Sequence, residues 1–424
     1  MIGREPRNMV YRQIGAGVLL AVLLAVFGYK ASERSTTSDF RRYYMAGESV
    51  VAGRSIYENA GQPLEFKYFP IFAQGMSVFA RLPIRTAAWV WYGIVAGGYV
   101  GMVWLAGTFF ARVAPDDHRA WKIALAAGVL GSLRFFIDNA RLGQINIPVA
   151  FLAVAGAYCV AHGRERTGGV LTAFGAAIKF MPIVLVLYYI WKGRWKATAW
   201  AGLTLMACLF LIPALTWGWQ GNIDLLRQYI SNRSHMVTDL PVEDAPGQSV
   251  PALLNRFLRD NVIANTREGP RHVNLLELDR TTVKRFAAVA VALLVMAAAW
   301  KTRRRWADMS HAQRGLEIGL ILILMLLISP EARRAHFITL VWPFSGVAFL
   351  LARAWPARRL EVVLGGGALV CMAMTASDVV GRPLAGWLQA HGVIGVGAML
   401  LAVAVWRLYE DASPQANTGL SRRR

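Results

Sequence analysis

Apolar residues run along this chain in long stretches, and polar residues gather in the breaks between them. The stretches fall near 10–29, 86–110, 121–137, 145–161, 167–178, 180–191, 196–216, 284–300, 313–329, 336–352, 360–377 and 391–408. A helix needs about 20 apolar residues to cross a bilayer, and only helices or closed barrels satisfy their own backbone there. The pattern therefore predicts an all-α, polytopic membrane helical bundle with about twelve transmembrane helices. The runs 167–178 and 180–191 are each too short to cross alone. Lys179 separates them and Pro182 stiffens the junction, so they are two short spans or one broken span.

Two long polar segments interrupt the spans, 30–85 and 217–283. In the first, Phe40, Tyr43, Tyr44, Gly47, Val50 and Val51 recur at helical spacing, with Arg41, Arg42 and Glu48 on other faces. This is the pattern of an amphipathic helix lying in the membrane interface, ended by "GRSIY". "YFPIFAQGMSVFARLP" (68–83) is a second interfacial or re-entrant helix, opened by Pro70 and closed by Pro83.

Basic residues set the orientation. "RVAPDDHRAWK", "HGRERTGG", "KGRWK", "KTRRRWADMSHAQR", "RAWPARR" and the tail "SRRR" all fall on one side if the spans alternate. Lys and Arg in short loops mark the cytoplasmic side, so both long segments belong to the other face. The expected organisation is one integral-membrane domain over 1–409 and a short cytoplasmic tail over 410–424. Arg4, Arg7 and Arg12 before the first apolar run resemble a signal peptide, but an uncleaved first span orients those that follow.

Composition agrees: of 424 residues, 56% are hydrophobic and only 17% charged. The net charge of +21 would suggest nucleic acid in a soluble chain. Here it fits loops facing anionic lipid headgroups, with no basic stripe or stacking platform for nucleic acid. Cys159, Cys208 and Cys371 lie in apolar runs and form no disulfide or metal-ligand pattern. The polar segments hold no HExxH, paired histidines or compact DxD, so neither a metal nor another cofactor is expected.

Candidate chemistry gathers at the non-cytoplasmic ends. Asp39 stands where the interfacial helix begins; it is either the N-cap or a general base at the mouth of a cavity, and the roles are compatible. In "LLISPEARRAHF" (326–337), Arg333, Arg334 and His336 follow a proline on the face where cations are disfavoured. They either snorkel to headgroups or bind an anion such as a lipid-linked phosphate. Lys179, flanked closely by apolar residues, carries the same alternatives. Gln144 and Asn146 begin a span, where polar residues usually satisfy the helix end. His235, Gln248 and Arg256 in the second long segment could line a site, or be loop chemistry.

"SDFRRYYMAGESVVAGRSIY" with "YFPIF" resembles the first outer loop of glycosyltransferase family 87: an Asp-led aromatic helix, then G-x-x-x-Y, then Y-x-P. "GQIN", "IKFMP", "GQSVPALLNRF" and "SPEARRAH" are similar to its later landmarks, in the same order, over about residues 38–345. The resemblance implies a GT-C fold, a polyprenyl-phosphate mannose donor and α-mannosidic products on lipid-linked glycans. It implies Asp39 as catalytic base. The family's S-P-x-x-W-x-H-H-like stretch aligns with Ser329 to His336, where the Trp and one His are replaced and Glu331, Arg333 and Arg334 appear instead.

The expectation is an inverting membrane glycosyltransferase acting on the non-cytoplasmic face of the inner or plasma membrane. Asp39 takes the acceptor proton, and Lys179, Arg333, Arg334 and His336 hold the donor phosphate. Arg42, Tyr43, Tyr68, Gln144, Asn146, His235, Gln248 and Arg256 frame the substrates. Its partners are the polyprenyl-phosphate sugar, a lipid or glycan acceptor and membrane lipids. Alternatives are a lipid transporter or flippase, a ligase moving a whole glycan from a lipid pyrophosphate, and a structural membrane protein. The first lacks a visible repeat and deep coupling acids; the second would want a larger cationic cluster.

Overall fold

A computed structural model describes residues 28–29, 33, 38–57, 65–238, 247–259, 262–266, 269–354 and 356–412, and side chains at these positions except 233–238, 262–266 and 269–271. The first apolar run thus lies almost wholly outside the described residues. The bundle is helical throughout, apart from a short antiparallel β-hairpin at Val262–Thr266 and Gly269–His272. Among the described residues, seven helices are long and apolar enough to cross a membrane: Ile84–Ala111, His118–Leu142, Trp195–Asn232, Arg280–Lys301, His311–Ile328, Arg334–Ala354 and Val393–Asp411. Shorter helices at Asn146–Ala161, Glu165–Ile178, Ile183–Trp191 and Arg359–Met374 occupy the remaining expected positions from residue 145 onward.

The ambiguous 167–191 region is a helical hairpin. Thr172 Oγ1 and Tyr189 OH are 2.9 Å apart, and Arg194 pairs with Glu165 at 2.7 Å, so the two arms run antiparallel. Lys179–Pro182 form its apex, with Lys179 in extended conformation and Pro182 capping the second arm. An apex is where such a lysine escapes the apolar slab.

The loops gather at two ends. At one end Arg353 pairs with Asp117 at 3.6 Å, Arg358 with Asp411 at 2.8 Å, and His311 Nε2 lies 2.9 Å from the Phe109 carbonyl. A buried ion pair ties this end together: Lys192 Nζ lies 2.7 Å from Glu317 Oε1 and donates to the carbonyls of Thr302 (2.8 Å) and Arg304 (2.6 Å). Tyr188 and Tyr409 donate to the Glu317 oxygens at 3.1 and 3.0 Å. A buried charge is tolerated only when so fully partnered.

The opposite end carries both expected interfacial helices, Asp39–Val51 and Pro70–Phe79. Phe40, Tyr43, Tyr44 and Gly47 are buried as their spacing predicts, but Val51, at the helix end, is exposed. The two helices pack so closely at Gly47 that a Cβ there would lie 2.4 Å from the Met76 carbonyl oxygen. The long helix from residue 212 breaks at Gly218, whose φ of 70° no ordinary helical residue adopts. Asn222, beyond the break at Gly218, donates back to the Leu209 and Phe210 carbonyls of the π-segment Ala207–Leu211 at 2.9 and 3.2 Å.

Candidate active site

Asp39 is not the helix cap. Ser38 occupies that position, extended and with no side-chain capping bond, and Asp39 is the first helical residue. Its carboxylate turns to side chains instead. Oδ2 accepts from Gln144 Nε2 at 2.7 Å, and Oδ1 lies 3.2 Å from Arg42 Nη1, one turn along the helix. Gly143 makes the approach possible. It ends the His118–Leu142 helix in the left-handed conformation (φ 60°), and a Cβ there would lie 2.8 Å from that of Phe40. Trp91 Nε1 fixes the turn by donating to the Gly143 carbonyl at 2.7 Å.

From Gln144 the polar contacts continue inward. Asn146 Nδ2 donates to Gln144 Oε1 at 2.9 Å and to Asn139 Oδ1 at 3.0 Å. Lys179 Nζ, at the hairpin apex, donates to Asn146 Oδ1 at 2.7 Å and touches His336 Nε2. On the other side of the ring, His336 Nδ1 lies 2.9 Å from Arg333 N and 3.1 Å from the Arg333 carbonyl. Asn139, buried, donates to the Ala335 carbonyl at 2.8 Å, next to that histidine. Asp39, Gln144, Asn146, Lys179 and His336 thus form one connected set. Gln144 and Asn146 do not serve the helix end: Ile145 is the cap residue, without a side-chain cap bond.

Other expected residues fall elsewhere. Arg334 turns to Asp138, 3.2 Å from its carboxylate, and to Gln389 Oε1 at 3.2 Å. Those partners absorb its charge, and it anchors the 329–336 loop instead of joining Lys179. Arg333 is exposed, and its backbone pairs with Gly247. Gln248 and Arg256 bind main chain: Gln248 Nε2 reaches the Gln389 carbonyl at 2.8 Å, and Arg256 reaches those of Ala390 (3.0 Å) and Gly247 (2.6 Å). Burial pushes the Arg256 guanidinium down to about 10. Both residues hold the 247–256 segment in place, and Gln248 N donates to the Ala332 carbonyl at 2.8 Å. His235 lies outside the described side chains.

Tyr43 and Tyr68 pack together beside this set. Tyr43 is buried; its hydroxyl lies 3.2 Å from that of Tyr68 and accepts from Ile145 N at 3.3 Å. Burial, with Tyr68 and Asp39 nearby, raises its phenol well above the usual range, so it stays protonated. Tyr68 is half-buried beside it, and Tyr57 OH donates to the Tyr68 carbonyl at 2.7 Å.

Sequence reasoning missed Lys67, Asn139 and Asp138. Lys67 sits 3.7 Å from Glu65. Burial pushes its ammonium pKa down; Glu65 opposes this, and the positive charges of Arg333 and Arg42 push it further down. Arg42, Lys67 and Arg333, from three separate segments, thus act on one another electrostatically, with Glu65 and Glu331 in the same neighbourhood. The only trace of this in the sequence is a lysine set directly before Tyr68. Among the described residues, no group of three or more His, Cys, Asp or Glu side chains is placed to hold a metal ion.

The sequence was compared with known proteins. The chain is 23% identical over 412 residues to a polyprenol-phosphate-mannose-dependent alpha-(1-2)-phosphatidylinositol mannoside mannosyltransferase of Mycobacterium tuberculosis, covering 91% of this chain and 87% of that relative. In structure it resembles apo ArnT from Cupriavidus metallidurans, with 11% identity, a TM-score of 0.38, and coverage of 94% of this chain and 78% of that one. The model of glycosyltransferase family 87 matches residues 66–330, from the segment bearing Lys67 and Tyr68 to the proline that opens the loop to His336. With that match across more than half its length, this multi-helix membrane chain belongs to glycosyltransferase family 87.

Proposed function

We propose that this protein transfers mannose, with inversion, from a polyprenyl-phosphate donor to a lipid-linked acceptor. Asp39 is the general base. The observation carrying this reading is the connected set of side chains that sets a carboxylate and an ammonium–imidazole contact at one end of the bundle, from parts of the chain 105 and 157 residues apart. The relative's printed dependence on polyprenol-phosphate-mannose supports the donor. The dense basic loops at the opposite end favour the non-cytoplasmic face of the plasma or inner membrane for the site.

The chemistry needs few parts. The acceptor hydroxyl attacks the anomeric carbon, and its proton passes to Asp39. The bond from that carbon to the phosphate oxygen breaks, and the electron pair leaves with the phosphate. This is the base half of an inverting glycosidase's pair, since a phosphate departs without an acid. General-base action supplies roughly 10²–10⁴-fold. Lys179, in contact with His336 at the hairpin apex, is the ammonium that donates to the donor's phosphate oxygen. Arg42, Lys67 and Arg333 add positive potential where charge develops. Arg334 is assigned to holding the loop.

The test is transfer by purified protein, with polyprenyl-phosphate mannose and a phosphatidylinositol mannoside acceptor in detergent or liposomes. Asp39→Asn should lose transfer and keep donor binding. Absence of mannose transfer by the folded wild-type protein would refute the donor assignment.

A further inference from the structure

The side chains between Asp39 and Lys179 are ordered in a way the proposed chemistry does not by itself require. Gln144 and Asn146 bond only to other side chains. Their orientations are dictated from both ends. A lysine ammonium only donates, so the Asn146 oxygen faces Lys179; a carboxylate only accepts, so the Gln144 nitrogen faces Asp39. The middle bond then has one possible sense, Asn146 Nδ2 to Gln144 Oε1 at 2.9 Å. Asn139 adds a fixed side branch: its nitrogen is committed to the Phe135 and Ala335 carbonyls at 2.7 and 2.8 Å, so its oxygen faces Asn146. Both amide dipoles of the main line point their positive ends toward Asp39, and bonds aligned in this way polarise one another.

We propose that Gln144 and Asn146 are positioning residues for the transfer. They form an aligned amide relay that holds Asp39 Oδ2 and links the orientation of the base to the donor-phosphate residue Lys179. The inference rests on the reading of Asp39 as base and Lys179 as phosphate ligand. Gln144 touches Asp39 but not Lys179; Asn146 touches Lys179 and reaches Asp39 only through Gln144. The two residues therefore have different kinetic signatures. Loss of Gln144 frees the base and leaves the phosphate site intact. Loss of Asn146 disturbs both.

The experiment measures kcat and donor KM for Gln144→Met and Asn146→Met, each in the wild-type and the Asp39→Asn background, with folding followed by thermal unfolding in detergent. Gln144→Met should lower kcat by about 10–100-fold, the usual scale for a hydrogen bond to a charged group, with donor KM within about twofold. Asn146→Met should lower kcat and raise donor KM together. In the Asp39→Asn background Gln144→Met should not reduce the residual kcat further, because it acts through the missing base, whereas Asn146→Met should still raise donor KM through Lys179. If Gln144→Met costs as much there as in the wild type, the relay is overturned while Asp39 keeps its role. Wild-type transfer by Asp39→Asn would overturn both. Asn146 is buried and its variant is the one at risk of misfolding; Gln144 is half-buried, and its two variants decide the matter alone.

Discussion

Lys179 and His336 touch across 157 residues of chain, one at the apex of a helical hairpin and the other in the first turn of a later helix. The hairpin apex also brings Lys179 to Asn146, to which it donates at 2.7 Å. This one contact makes a site from two segments that show no relation in sequence.

Replacing Asp39 tests the base directly. Because Ser38 holds the cap position, Asp39→Asn should leave the interfacial helix intact. Turnover should fall by about 10²-fold or more, with donor binding retained. Near-wild-type transfer with a matched donor and acceptor would remove the assignment.

The adjacent arginines should separate. Arg333→Ala should raise donor KM and barely alter the unfolding temperature, since its side chain is exposed. Arg334→Ala leaves Asp138 and Gln389 without their partner and should chiefly lower the unfolding temperature. The reverse pattern would assign the phosphate to Arg334.

Gly143 should not tolerate a side chain. Gly143→Val adds the left-handed penalty of about 1–2 kcal/mol and a collision with Phe40 at the start of the Asp39 helix. Activity should fall more steeply than stability, because the collision displaces the segment that carries the base. Comparing kcat with the unfolding midpoint checks this.

At the far end, Glu317→Leu alone should strand the Lys192 ammonium in the interior and cost about 3–5 kcal/mol. Adding Lys192→Met should recover part of that loss. Denaturant or thermal unfolding of the single and double variants measures it; a double variant worse than the single would show that the pair is not the source of the cost.

Membrane sidedness follows from labelling. On a cysteine-free background, Ser55→Cys and Leu275→Cys, both exposed near the Asp39 end, should react with an impermeant reagent from outside intact cells. Arg303→Cys, exposed at the opposite end, should not. Ser55 and Arg303 labelled from the same side would reverse the expectation.

Much was legible in the sequence because bilayer burial is a one-dimensional signal. Long apolar runs, prolines at helix starts and the helical spacing of Phe40, Tyr43 and Tyr44 act over a few neighbouring residues, and among the described residues the helices formed where those signals lay. The bundle class, the two interfacial helices and the family landmarks all rest on such local terms. The tertiary structure alone decided which polar residues share a site. It turned Arg334 to Asp138, while its neighbour Arg333 stayed exposed with its backbone against Gly247. It made Gln144 and Asn146, which the sequence offered as substrate-framing residues or a polar helix start, a line between Asp39 and Lys179, and it brought Asn139 to the loop before His336. Side-chain hydrogen bonds form between whichever groups packing brings within about 3 Å, and that packing is set by helices distant in sequence.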